Sequence, residues 1–194
     1  MKQLTTYNRA AAYLNTIFDL LNARYFEGAL SRPIITIQST PKAYGHYTLY
    51  DAWSVDGDKG MREINIGAGT LSRPIEEVVA TLLHEMVHYW NDKRGVKDAS
   101  RGNTYHNKNF KTVAEACDLL VEHHPTYGWS KTSPSDALVE FCIEHELRED
   151  GRDDQQQVAD AHGPCIPAVH QQECPHPDDQ KHHAQSDGQD ICLH

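Results

Sequence analysis

No stretch of this 194-residue chain approaches the roughly 18 consecutive apolar residues of a membrane-spanning helix, and the N-terminus lacks the charged-then-apolar order of an export signal. Membrane insertion and secretion are therefore not the expected settings. Cysteine is sparse: Cys117, Cys142, Cys165, Cys174 and Cys192 never fall two residues apart, so neither a disulfide framework nor paired CxxC metal motifs can be read. The odd count fits a reduced, cytoplasmic protein, expected to act as a monomer. Positive charge is also short, with 18 Lys and Arg against 28 Asp and Glu and a formal net charge of −10, which excludes a chain coated in positive potential. No internal repeat appears.

The acidity is unevenly spread. Residues 1–148 carry 16 basic and 18 acidic side chains, whereas residues 149–194 carry 2 and 10 and have no aromatic residue at all. That second segment, rich in Gln, Asp, His and Pro, shows neither helical nor strand periodicity and has too little apolar surface to form a core. The expected organisation is a folded domain over 1–148 followed by a disordered acidic tail.

What the chain does have is His84-Glu85-Met86-Val87-His88 inside a strong helix pattern. Over residues 72–94, Val78, Val79, Leu82, Leu83, Met86, Val87 and Trp90 recur at steps of three and four. Ser72 is a candidate N-cap, Pro74, Glu76 and Glu77 suit the first turn, and Lys93 and Arg94 suit the last turn before Gly95. On such a helix His84 and His88 stand one above the other, about 6 Å apart at Cβ, so both imidazoles reach one metal ion. Glu85 lies about 100° round, where it serves better as a general base than as a ligand. Buried polar groups need partners, and zinc would supply one for both histidines.

A catalytic zinc takes three protein ligands and keeps one position open. The third ligand must come from downstream. His106 stands just ahead of a second amphipathic run, Phe110, Val113, Ala114, Cys117, Leu120 and Val121, and is the favoured choice. Glu115 and Glu122 on that run are the carboxylate alternatives, while His123 and His124 read as helix-end residues. Tyr105, Tyr89 and His46 are conceivable oxyanion stabilisers that spacing does not place.

The stretch TLLHEMVHYWND and the later His106-x-x-x-Phe110, preceded by YFEGALSRPIITIQ, a Gly45-containing strand and REINIGAGTLSRPIEEVVATLLHE, resemble the SprT-like metallopeptidase family, which includes the Spartan proteases. The likeness runs from about residue 10 to about residue 125. It implies a zinc-dependent endopeptidase with His84, His88 and His106 as metal ligands, one Zn²⁺ per chain, and Glu85 as the catalytic glutamate. The best-studied relatives cleave proteins covalently trapped on DNA. Two departures stand out: Asn107 occupies a position where the family often has Gly, and no zinc ribbon follows the domain.

Upstream, LTTYNRAAAYLNTIFDLLNARYF reads as a helix ending near Gly28, and IITIQ (34–38), HYTLY (46–50) and EINIG (63–67) read as short strands separated by loops, including 51–60. A last helix over SPSDALVEFCIEHEL begins at Ser133 or Ser135, making Cys142 and His145 structural. The expected fold class is α+β: a small zincin-like metallopeptidase domain with a short three-stranded sheet packed on the His-Glu-x-x-His helix, plus additional helices. In such a layout an edge strand can hold the substrate backbone, and EINIG or HYTLY would serve.

Protein substrates follow from the resemblance, and DNA is a candidate partner. Between 92 and 111, Lys93, Arg94, Lys97, Arg101, Lys108 and Lys111 are set against only Asp92 and Asp98, a local basic excess that runs from the loop between the second and third histidines to just past the third. A peptidase without a nucleic-acid partner is the alternative, as is a catalytically silent zinc domain. The latter fits poorly with a three-ligand site beside Glu85.

Overall fold

The computed structural model describes residues 4–39, 43–55 and 59–148. The acidic tail expected over 149–194 lies outside the described residues. Among the described residues the architecture is mixed α/β, with four α-helices and small sheets.

Helix α1 (Leu4–Tyr25) buries Leu14, Ile17, Phe18 and Leu21, a stripe at helical spacing. Beyond its end the Asn22 carbonyl accepts from the N–H groups of Phe26 and Gly28, and the buried Asn22 side chain donates to Leu30 O and accepts from Leu30 N. This folds the chain back into the first sheet, made of β1 (Ile34–Gln38), β2 (Gly45–Tyr47) and β5 (Glu63–Gly67) in the order β1-β5-β2. β1 runs parallel to β5 and β2 antiparallel to it. All five residues of β5 are buried, including the polar Glu63 and Asn65, as befits a central strand with a neighbour on each side. EINIG therefore has neighbours on both sides, and β2 is an edge of this sheet among the described residues.

The loop read over 51–60 contains a hairpin, β3 (Trp53–Val55) with β4 (Lys59–Met61). Three-residue strands are too short to display a period. Trp53 Nε1 ties this hairpin to the first sheet by donating to Glu63 Oε2 at 2.7 Å.

Helix α2 (Ile75–Lys93) is the centre of the core: Val79, Leu82, Leu83, Met86 and Val87 are fully buried. Each such side chain contributes about 1.5–3 kcal/mol relative to exposure. Its start differs from expectation, because Ser72 does not cap it. Pro74 stands at the cap, and its carbonyl accepts from the N–H groups of Glu77 and Val78. Its end follows the signal in full. Gly95 takes φ 65°, its N–H reaches Asp92 O, and Val96 N–H reaches Asn91 O, the paired bonds of a Schellman turn.

A second, four-stranded sheet has the order β6-β7-β9-β8, from β6 (Ala99–Ser100), β7 (Tyr105–His106), β8 (Leu119–His124) and β9 (Gly128–Pro134). Here the expectation of one helix running through Val121 is corrected. Helix α3 (Lys108–Ala116) ends at Cys117, and Asp118 turns the chain with φ 59° while its carboxylate accepts from the Tyr25 hydroxyl at 3.1 Å. Beyond it Leu119 is buried and Leu120 is 55% exposed, the period-two alternation of a strand that pairs antiparallel with β9. His123 and His124 thus end a strand and not a helix. Helix α4 (Asp136–Glu144) starts at Ser135, whose Oγ accepts from Leu138 N at 3.3 Å. It buries Cys142, and His145 sits exposed at its end against Phe141. No described helix is long and apolar enough to cross a membrane.

Candidate metal centre

Helix α2 presents His84 and His88 on one face, and the β7–α3 junction delivers His106 against them. His84 Nε2 and His88 Nε2 lie 3.2 and 3.0 Å from His106 Nε2, and one ligand atom from each residue falls within 4.8 Å of the others. Fully buried Phe110, one turn into α3, contacts all three rings at centroid distances of 4.5–4.7 Å. It forms an apolar floor that limits ring rotation.

The position of His106 depends on both of its flanks. Its N–H donates to Tyr127 O at 2.9 Å, and it pairs with Ala99 on β6 and Gly128 on β9. Gly128 has φ +71°, and a Cβ there would collide with the His106 carbonyl, so only glycine lets β9 come this close. On the other side Asn107 caps α3, its Oδ1 accepting from Asn109 N at 2.7 Å and Phe110 N at 3.4 Å. The residue that departs from the resembled family's glycine has a local job.

The outer nitrogens of two rings are held. His88 Nδ1 donates to Asp98 Oδ2 at 2.8 Å, and the same oxygen accepts from Asn91 Nδ2 at 3.0 Å. His84 Nδ1 is 2.9 Å from Thr132 Oγ1 on β9. His106 Nδ1 is buried without a hydrogen-bond partner among the described residues. Burial, then the neighbouring His88 and His106, holds His84 well below the ordinary imidazole range. Burial and then His88 push His106 down to about 4, with Asp98 opposing. Both rings are therefore neutral near pH 7.

This donor set fits a metal ion. With its proton on Nδ1, held by Asp98, His88 offers a lone pair at Nε2. A proton on His106 Nε2 could answer only one of its two neighbours, whereas a cation accepts a lone pair from each ring. Three nitrogen donors with a carboxylate behind one of them match zinc preferences.

Glu85 is 6% exposed, and its side chain lies against Gly45 of β2. Burial raises its carboxyl to about 7, the nearby His88 works against this, Asp98 adds to it, and a backbone hydrogen bond from Tyr47 also works against it. A Cβ on Gly45 would lie 3.1 Å from Glu85 Oε1 and 2.9 Å from Asn65 O, so glycine in β2 makes room for the carboxylate.

The other residues singled out in the sequence lie elsewhere. Glu115 pairs with Lys111 on α3 and Glu122 with Lys131 across β8 and β9. His123 packs on Trp129, and His124 stacks on Tyr127. Tyr89 stacks on Tyr47, the Tyr105 hydroxyl lies 3.3 Å from His123 Nε2, and His46 is exposed on β2. Sequence reasoning missed the supporting contacts of Asp98 and Thr132. Asp98 stood out only as an acid in a basic loop, and nothing in the sequence marks Thr132.

A part-buried three-histidine cluster that is compatible with metal binding, beside a buried helical glutamate in a mixed α/β domain, suggests a metallopeptidase-like domain. Residues 14–128 match the SprT-like family, more than half of the chain, and the chain belongs to that family. No curated protein and no solved structure matches it.

Proposed function

We propose that this protein is a zinc-dependent endopeptidase with a zincin-like layout, and the convergence of His84, His88 and His106 next to buried Glu85 is the observation that carries this reading. His84, His88 and His106 would hold the metal, each offering a ring nitrogen. When bound, zinc supplies Lewis-acid chemistry, activating water and polarising a peptide carbonyl. The Glu85 carboxylate takes a proton from the attacking water and passes it to the leaving amine nitrogen, so that one peptide bond and one water become a carboxylic acid and an amine. Its raised pKa suits a group that must both accept and release a proton near neutrality. Asp98 orients His88, and Phe110 excludes water from behind the rings.

The substrate of this reading is an extended polypeptide added to β2. That strand is the sheet edge lying along α2, whereas β5 has both neighbours filled. Purified protein carrying zinc is expected to cleave casein, and Glu85→Gln to keep zinc but lose cleavage. Undiminished cleavage by Glu85→Gln overturns the mechanism.

DNA is proposed as the setting in which substrates are met. Lys93, Arg94, Lys97, Arg101 and Lys108 are exposed, and aromatic rings stand beside the cations: Arg101 lies 4.5 Å over Tyr105, and Lys111 lies 4.0 Å over Trp129. Cations for phosphates and rings for bases are the two requirements of single-strand binding. Affinity for single-stranded DNA is expected to fall steeply with salt and to weaken in Trp129→Ala. Absence of binding at low salt removes this part of the proposal.

A further inference from the structure

We propose that Tyr44 is a specificity-determining residue that selects an aromatic or large aliphatic side chain just after the cleaved bond of the substrate; this deepens the peptidase reading above and rests on it. Tyr44 is 61% exposed, yet its position is held from two sides. Its carbonyl accepts from the Gly67 N–H at 2.7 Å, which extends the β2–β5 ladder one residue beyond Gly45. Its ring lies under the Arg73 guanidinium, 4.2 Å from carbon to centroid. Arg73 is itself fixed, donating to Thr70 O at 3.0 Å and to Thr81 Oγ1 at 2.9 Å, with the Glu77 carboxylate 3.6 Å away. What stays open to solvent is a fixed ring. The cation behind it has its charge answered by Glu77, so the surface on offer is apolar rather than basic.

The path of β2 along α2 puts this ring beside the reacting centre. Tyr44 meets Arg73, which is tied to Thr81, then Gly45 lies against Glu85, and Tyr47 stacks on Tyr89, so strand and helix run in the same direction. Two backbone bonds set the phase of the ladder: Gly67 N–H to Tyr44 O, and Thr48 N–H to Glu63 O at 3.0 Å. Tyr44 and Thr48 therefore turn their backbone groups toward β5. By the alternation of an antiparallel pair, Gly45 turns its N–H and C=O the other way, to the side with no strand partner among the described residues. A polypeptide added there in the more stable antiparallel sense runs from the Tyr47 end toward the Tyr44 end. The bond nearest Glu85 is then the one opposite Gly45, and the side chain that follows it stands opposite Tyr44, where facing Cβ atoms are about 4.5–5.5 Å apart. Strand direction thus decides on which side of the cleaved bond the ring acts. An aromatic side chain gains most there, through offset or edge-to-face contact with the tyrosine.

The test gives the full-length, zinc-loaded protein a set of fluorescein-labelled peptides with Phe, Ser or Asp at the two positions after the cleaved bond, or Phe at the two positions before it, and reads the cleaved bond by mass spectrometry. Phe after the bond is expected to raise kcat/KM about tenfold over Ser, the scale of discrimination that an apolar contact provides. Tyr44→Ser is expected to erase this difference by slowing the Phe peptide alone, and Tyr44→Phe to keep it, because the phenol takes no part. Tyr50→Ser, which alters an exposed tyrosine beyond the other end of β2, is expected to leave it unchanged. Uniform rates across the set, a preference for Asp, a preference confined to positions before the bond, or a Phe preference that survives Tyr44→Ser overturns the proposal. Binding separates these outcomes from a failure of the peptidase reading. By fluorescence anisotropy, Glu85→Gln is expected to bind the Phe peptide about tenfold more tightly than the Ser peptide, and Glu85→Gln/Tyr44→Ser to bind the two alike. Binding that does not distinguish the peptides, or distinguishes them equally without the Tyr44 ring, overturns the proposal whatever the activity. Discrimination that depends on Tyr44, in a wild-type protein that cleaves neither peptide, sustains the ring as a recognition residue and overturns the peptidase reading.

Discussion

Truncating Asp98 separates the metal centre from the fold that carries it. Asp98 Oδ2 is the shared acceptor for His88 Nδ1 and Asn91 Nδ2, at 2.8 and 3.0 Å, and Asp98 itself is 7% exposed. Asp98→Ala leaves two buried donors unanswered, at about 1–3 kcal/mol each, so stability is expected to fall by roughly 2–6 kcal/mol with or without metal. Zinc affinity responds to a narrower quantity, the orientation and basicity of His88, and an outer-shell carboxylate of this kind is worth about ten- to a hundredfold in metal binding. Asp98→Asn keeps an acceptor oxygen and a similar shape. It is expected to regain most of the stability but not the full affinity, because the charge behind the imidazole is gone. Competition against a chromophoric chelator gives the affinity and thermal unfolding gives the stability. The reasoning is refuted if folded Asp98→Ala binds zinc as tightly as wild type.

Gly45→Ala is expected to abolish most peptidase activity while leaving zinc stoichiometry intact, since the new methyl group is directed at Glu85 and Asn65 O and not at the imidazoles; loss of zinc with retained cleavage would count against that geometry. Phe110→Ala removes the floor under three rings and is expected to cost about 3–5 kcal/mol of stability along with zinc affinity, and unchanged thermal unfolding would contradict it. Zinc-free protein is expected to lose stability as pH falls from about 6.5 toward 4. His84 and His106 have folded values below their unfolded ones, so their contribution is complete above the unfolded value and is lost as pH drops through the folded ones. Glu85, raised to about 7, works in the opposite sense between about 4.5 and 7, which leaves two histidines against one glutamate. Thermal unfolding followed across this range checks the sign, and a protein that grows more stable on acidification shows that the histidines are not held neutral.

The readable parts of this chain are those where one local pattern had no competitor. α2 was legible because its apolar spacing, acidic first turn and terminal Gly95 all agreed, and the same helix geometry put His84 and His88 together. The run after His106 misled because Phe110, Val113, Ala114 and Cys117 keep helical spacing up to the point where Asp118 reverses the chain. That reversal depends on a left-handed backbone and a bond from Tyr25, ninety-three residues away. Contacts made only by folding stayed hidden for the same reason. Thr132 reaches His84 from β9, a strand the sequence did not announce, and Gly45 lies against Glu85 across forty positions. Gly128 was one glycine among 12 until β9 was seen to run against the His106 carbonyl. The hairpin over 53–61 was too short to carry any period.

Zinc-edge X-ray absorption on the purified full-length chain tests the three-histidine centre most directly. One zinc per chain, with imidazole nitrogens at about 2.0–2.1 Å and no sulfur shell near 2.3 Å, is the expected result. A sulfur shell, or zinc retained in full by His106→Ala, would contradict the account by placing the metal on ligands other than His84, His88 and His106.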